Sequence, residues 1–192
     1  MRIPRNTSRF VPVCNTQFYT RGKTMQKFFI LIVVVTICTA SLLFATEDSM
    51  LLKPGSIAPD FTLASSKGDS VTLSHFAGQH AVVLIFYPGD QTPGCTAQLC
   101  AIRDDYAQFE AKNAKVFGIN PGSLASHRKF IEKQRYQFPL LVDEKKLVAK
   151  QYGCDGLMVK RTVYVIDAAG KIIFAKRGRP ANEEILKAIP GK

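Results

Sequence analysis

Seven consecutive apolar residues, Ala81-Val-Val-Leu-Ile-Phe-Tyr87, end abruptly at Pro88-Gly89. The run is too short for a self-sufficient helix, rich in β-branched and aromatic residues, and has no polar alternation. It reads as a central strand covered on both faces. A strand of that kind needs a layer packed on each side, which excludes a sheet with one wet face. Immediately after the loop, Thr92 and Pro93 form a helix start, a cap followed by proline at the first helical position. Leu99, Ile102, Tyr106 and Phe109 then recur at helical spacing, predicting a helix to about Lys112.

The remaining pattern extends this unit. Phe61-Thr-Leu63 and Val71-Thr-Leu73 alternate around Ser66-Lys67-Gly68-Asp69, predicting a hairpin. A strand comes next at Lys115–Ile119, a helix at Ser123–Arg135, an extended segment at Phe138–Val142 and a short helix at Glu144–Tyr152. Thr162–Ile166 and Lys171–Ala175 form a hairpin around Asp167-Ala-Ala-Gly170, and a last helix spans Asn182–Ile189. With 192 residues and 46% hydrophobic composition, the chain can bury one full core. Its element order matches an α/β thioredoxin-like sandwich, a central mixed β-sheet flanked by helices.

The net charge of +11 could suggest nucleic acid as a partner, but its distribution argues otherwise. Arg2, Arg5, Arg9, Arg21, Lys23 and Lys27 lie in residues 1–45 without a single acid. Beyond them the basic residues are scattered, apart from Lys176, Arg177 and Arg179, and no aromatic-interleaved basic motif occurs. The N-terminal excess belongs instead to targeting. Phe28 to Ala45 is uncharged, with Lys27 before it and Glu47 and Asp48 after it. As a helix it would rise about 27 Å, enough to cross a bilayer core. As a secretory signal it offers small residues at Cys38-Thr39-Ala40 and a poorer site at Ala45. The polar Thr36, Thr39 and Ser41 favour the cleaved signal over an uncleaved anchor, and the long apolar run argues against an organelle transit peptide. Either reading exports the rest of the chain, to the periplasm or to the outer face of the inner membrane, rather than leaving it cytoplasmic. Met25 offers an alternative start, with residues 1–24 a misassigned extension. Residues 46–59 then read as a linker and 60–192 as the domain.

Five cysteines occur: Cys14, Cys38, Cys95, Cys100 and Cys154. Cys95 stands at the first turn of the predicted helix, where backbone amides and the positive helix end favour a thiolate. Thr92, three residues earlier, can aim its hydroxyl across the same turn or serve only as an N-cap. A hydroxyl beside a thiolate can hold a small dioxygen substrate for in-line attack. Between Cys95 and Cys100 an intact helix would turn about 140° net and rise about 7.5 Å, more than a disulfide tolerates. Any bond between them requires the first turns to unwind. Cys154, in Tyr152-Gly-Cys-Asp-Gly156, reads by default as an inert buried thiol, with a backup resolving or intermolecular partner as the alternative.

Pro88-x-x-x-Thr92-x-x-Cys95 resembles the active-site signature of the peroxiredoxins. The extension Thr-Pro-Gly-Cys-Thr-Ala-Gln-Leu-Cys100-Ala-Ile-Arg-Asp104 is similar to the bacterioferritin comigratory protein, or peroxiredoxin Q, branch. The likeness runs from about Lys53 to Pro190, through Phe138-Pro-Leu-Leu-Val-Asp143 and Arg161-Thr-Val-Tyr-Val-Ile-Asp-Ala-Ala-Gly170. It implies a peroxidatic Cys95, a peroxide-orienting Thr92, a shielding Pro88, a resolving Cys100, and an Arg161 that stabilises the thiolate and polarises the peroxide. Without the motif, Arg161 would read as a solvated charge at a strand end. The resemblance further implies hydrogen peroxide and alkyl hydroperoxides as substrates, thioredoxin or an exported thioredoxin-like protein as reductant, and no metal or other cofactor. Resolution within one chain makes a second subunit unnecessary, pointing to a monomer.

Two rivals share the fold. A thiol–disulfide oxidoreductase would use Cys-x-x-Cys, whereas four residues separate Cys95 from Cys100. A copper-delivery protein would use Cys-x-x-x-Cys with a histidine, and His75, His80 and His127 show no paired ligand spacing. Those histidines read as surface or internally satisfied groups.

Overall fold

The computed structural model describes residues 50–191. Strand β1 (Thr62–Ser65) and β2 (Ser70–Thr72) form the first hairpin, followed by a 3₁₀ turn at Leu73–Phe76. Then come β3 (Ala81–Phe86), helix α1 (Pro93–Asp104), helix α2 (Tyr106–Ala111) and β4 (Ala114–Asn120). Helix α3 (Leu124–Gln134), β5 (Leu140–Val142), helix α4 (Leu147–Gln151), β6 (Thr162–Ile166), β7 (Ile172–Arg177) and helix α5 (Asn182–Ala188) complete the chain. The strands make one mixed sheet in the order β2-β1-β5-β4-β3-β6-β7. β3 pairs parallel with β4 and antiparallel with β6, so it is interior, as its apolar run requires.

Its side chains divide by parity between two cores. Val82, Leu84 and Phe86 join the layer containing Tyr152, Cys154 and Tyr164. Val83, Ile85 and Tyr87 join the opposite layer, with Cys95, Leu99 and Ile102 of α1 and Phe130 of α3. A period of two along the strand thus fills both faces of the sheet.

Three boundaries depart from expectation for identifiable reasons. The long helix predicted to Lys112 breaks at Asp105, where the Asn182 amide donates to the Ala101 carbonyl (2.8 Å) and the Asp105 carboxylate (2.6 Å). Docking of α5 therefore ends α1 early. The helix predicted from Glu144 starts instead at Leu147, because the Asp143 carboxylate accepts from the amides of Val148 (3.3 Å) and Ala149 (2.7 Å). Residues 51–58, read as linker, lie along the domain: Leu51 and Leu52 pack on the core, and Gly55 N donates to Ile172 O at 2.7 Å. The segment read as signal or anchor, residues 28–45, lies outside the described residues, as do Cys14, Cys38 and the Met25 start.

One glycine bears on the site. A Cβ at Gly118 in β4 would fall 2.6 Å from Leu140 Cδ2 and 3.1 Å from Tyr87 Cε1. Its absence lets the Tyr87 ring lie against β4, with its hydroxyl reaching the loop after β3.

Candidate active site

Cys95 is the third residue of α1 and fully buried. Pro93 removes a backbone donor where none is needed, and Thr92 is the N-cap by backbone conformation (φ −74°, ψ 144°). The Thr92 hydroxyl makes no capping bond; it donates to the Gly89 carbonyl at 3.3 Å, within the Pro88–Thr92 loop. The Thr92 side chain therefore turns into the loop instead of capping the helix, and it is exposed. Pro88, half-buried, begins this loop directly behind β3.

Arg161 enters from the residue preceding β6. Its Nη2 lies 3.1 Å from Cys95 Sγ, and its Nη1 donates to Gln98 Oε1 at 2.6 Å. The alternative of a solvated strand-end charge therefore fails. Arg161 thus sets a fixed positive charge and an N–H donor against the buried Cys95 sulfur. Gln98, one helical turn beyond Cys95, is 2% exposed and holds the guanidinium in the bridging orientation. Sequence reasoning missed Gln98, although its i+3 spacing from Cys95 put it on the same face of α1.

Cys100 occupies a separate socket. Its Sγ donates to Gln134 Oε1 at 3.5 Å and lies 3.8 Å from the Tyr136 hydroxyl. Burial, then the contact with Cys100, pushes the Tyr136 phenol well above its ordinary range. Arg103, on the next turn of α1, donates to the Gln134 carbonyl at 2.8 Å and closes the socket. Both cysteines are reduced and sit on one continuous helix, facing different partners. Cys154 lies in the core on the other face of the sheet, its thiol donating to Tyr152 O at 3.3 Å. Burial raises its pKa, in keeping with an inert thiol.

His127, taken as a surface or satisfied group, is a satisfied and fully buried one. Its Nδ1 meets Asp90 Oδ2 at 2.8 Å, and Nε2 meets the Leu141 carbonyl at 3.3 Å. Asp90 also accepts from Tyr87 Oη (2.8 Å), Asn120 Nδ2 (2.8 Å) and Ser126 Oγ (2.6 Å). Burial alone would raise the Asp90 pKa, but the bonds from His127 and Ser126, with the nearby imidazole and Tyr87, lower it to about 2. His80 pairs with Asn113 Oδ1 at 2.8 Å, remote from Cys95 in the fold.

Fold and site together define a thioredoxin-like α/β protein built around one helix-borne cysteine under an arginine. Residues 54–175 match the AhpC/TSA family. A chloroplastic peroxiredoxin Q of Triticum aestivum is 44% identical over 143 residues, covering 70% of this chain and 65% of that protein. Peroxiredoxin Bcp of Bacillus subtilis is 34% identical over 149 residues, covering 73% and 94%. In three dimensions, peroxidoxin BcpB of Mycobacterium tuberculosis superposes with a TM-score of 0.68 at 33% identity, covering 72% of this chain and 96% of that one. The chain belongs to the AhpC/TSA family, among the peroxiredoxins Q and Bcp. It spans just under two thirds of the length of the wheat relative. These relatives do not favour the disulfide-exchange or copper-delivery readings.

Proposed function

We propose that the chain is a thiol-dependent peroxidase that reduces hydrogen peroxide and organic hydroperoxides. The observation that carries this is the Arg161 guanidinium 3.1 Å from a buried Cys95 sulfur at a helix start. The Cys95 thiolate attacks one peroxide oxygen, the O–O bond breaks, and the departing oxygen takes a proton to leave as water or alcohol. Cys95 becomes a sulfenic acid. Arg161 supports both the thiolate and the negative charge that develops on the departing oxygen. Thr92 orients the peroxide, and Pro88 shields the site. Cys100 then displaces hydroxide from the sulfenic sulfur, forming the Cys95–Cys100 disulfide and a second water, and a dithiol reductant reopens it by exchange.

The full chain supplied with a dithiol is expected to consume peroxide catalytically, and withdrawal of the dithiol is expected to leave a Cys95–Cys100 linked peptide in mass spectra. Rapid reduction of protein disulfides with peroxide left intact would identify an oxidoreductase of the exchange type instead. Because resolution takes place within one helix, the working form is a monomer. The basic flank and apolar run of residues 23–45 support export, with a thioredoxin-like protein of that compartment as electron donor. Cell fractionation should then find the protein outside the cytoplasm; recovery wholly in the cytosol excludes export.

A further inference from the structure

The Asp90 carboxylate accepts four hydrogen bonds from three parts of the fold. Tyr87 lies at the end of β3, Asn120 ends β4, and Ser126 and His127 lie in the first turns of α3. All four partners are donors to one anion, and the Asp90 side chain is 5% exposed. Both ring nitrogens of His127 are engaged, one by the Asp90 carboxylate and one by the Leu141 carbonyl, so the buried ring is held at both polar edges. A buried carboxylate costs desolvation and is weak evidence of stability, but a full set of hydrogen bonds around it fixes geometry. Asn120 is locked in turn, its Oδ1 accepting from Gly122 N. A Cβ on Gly122 would lie 2.7 Å from Asn120 Oδ1 and 3.2 Å from Asp90 Oδ2, so the cage is closely packed.

The residue after Asp90 shows what the cage holds. Gln91 has φ +58°, a left-handed conformation disfavoured for a residue with a Cβ. Gln91 is exposed, and among the described residues its side chain has no hydrogen-bond partner. The next residue is Thr92, whose hydroxyl donates within the same loop and whose carbonyl accepts from Thr96 N at 2.9 Å in the first turn of α1. The direction in which Thr92 and the start of α1 leave the loop thus follows the backbone twist at Gln91, which lies between the Asp90 cage and the Thr92–Gly89 bond.

We propose that Asp90, paired with His127, is a positioning residue for peroxide reduction. The buried carboxylate cage holds the Gln91 twist and so places Thr92 over Cys95, without itself touching substrate. This inference rests on the peroxidase reading. With the anchor weakened, the loop relaxes toward negative φ at Gln91, Thr92 turns away, and attack geometry at Cys95 is lost.

The test uses the full chain and its Asp90→Asn variant, which keeps the shape of the side chain and removes the charge. Single-turnover oxidation of Cys95 by hydrogen peroxide is expected to slow by about tenfold, as for a misplaced reacting group. Amide exchange should quicken in residues 88–96 while the β3–β4 strands stay protected. Ser126→Ala, a milder variant that removes one donor, should shift the same amides in the same direction. Adding Gln91→Gly to Asp90→Asn, so that the positive φ no longer carries a Cβ penalty, should recover at least about threefold of the lost rate. An Asp90→Asn rate within about twofold of wild type, or above it, overturns the proposal. So does a loss that Gln91→Gly leaves unrecovered, or one accompanied by faster exchange throughout the sheet. If the wild-type chain consumes no peroxide, the peroxidase reading fails, and the exchange of residues 88–96 still decides whether the cage holds the loop.

Discussion

The Cys95→Ser chain is expected to consume no peroxide above the uncatalysed rate, a loss of at least about 10³-fold, because an alcohol has no anionic form at neutral pH to attack the O–O bond. Cys100→Ser should behave differently. Its socket at Gln134 and Tyr136 faces away from Arg161, so removal of the thiol leaves the first oxidation intact. The chain should then stop after one peroxide per molecule with a sulfenic acid at Cys95, and excess peroxide should drive that group to the irreversible sulfinic state. In the wild type, resolution requires Cys100 to leave its socket, since five residues of intact helix hold the two thiols on different faces. Amide exchange in residues 93–104 should therefore be faster in the disulfide form than in the reduced form. Mass spectrometry of the quenched first turnover, with exchange on both redox forms, checks all three outcomes. Full activity in Cys95→Ser would remove the nucleophile, and equal protection of residues 93–104 in both forms would remove the unwinding step.

The legible parts of this chain were those encoded locally. The apolar run of β3, the Thr92–Pro93 helix start and the position of Cys95 are set by neighbours within a few residues, and the structure places them as read. Boundaries failed where a side chain outside the helix intervened: Asn182, 77 positions away, ended α1 at Asp105, and Asp143, just upstream, delayed the start of α4. The site divides in the same way. Nothing near Arg161 marks it as a partner of a cysteine 66 positions earlier; only the family resemblance singled it out. Gln98 was readable from its spacing but carries no distinctive chemistry. The Asp90 cage was beyond reach, because its donors come from β3, β4 and α3 and meet only through the parallel pairing of β3 with β4 and the return of α3 across the sheet. Buried polar networks are assembled by topology, and a linear pattern contains no spacing that signals them.

Replacement of Arg161 by methionine is expected to lower the rate of Cys95 oxidation by about 10²–10³-fold, or roughly 3–4 kcal/mol of transition-state stabilisation. The magnitude comes from position. The guanidinium is 3.1 Å from a sulfur that water does not reach, where one fixed positive charge counts for far more than at the surface. Methionine preserves much of the packing volume but leaves the sulfur, Gln98 Oε1 and the developing oxygen anion without a cation. Lysine is expected to restore only part of the rate, still about tenfold below wild type, since a single ammonium cannot donate to Gln98 and Cys95 along the two fixed directions of a guanidinium. Gln98→Ala should give a smaller loss of about threefold, because the charge remains and only its orientation is freed. The defect should fall wholly on peroxide reduction. Preformed Cys95–Cys100 disulfide should be reduced by a dithiol at the wild-type rate, because the reductant attacks sulfur in an unwound segment from which Arg161 has been separated. Stopped-flow oxidation and reduction of the same variants separates the two half-reactions. Equal slowing of both would make Arg161 a structural residue of the domain, whereas slowing of oxidation alone places its charge at the breaking O–O bond.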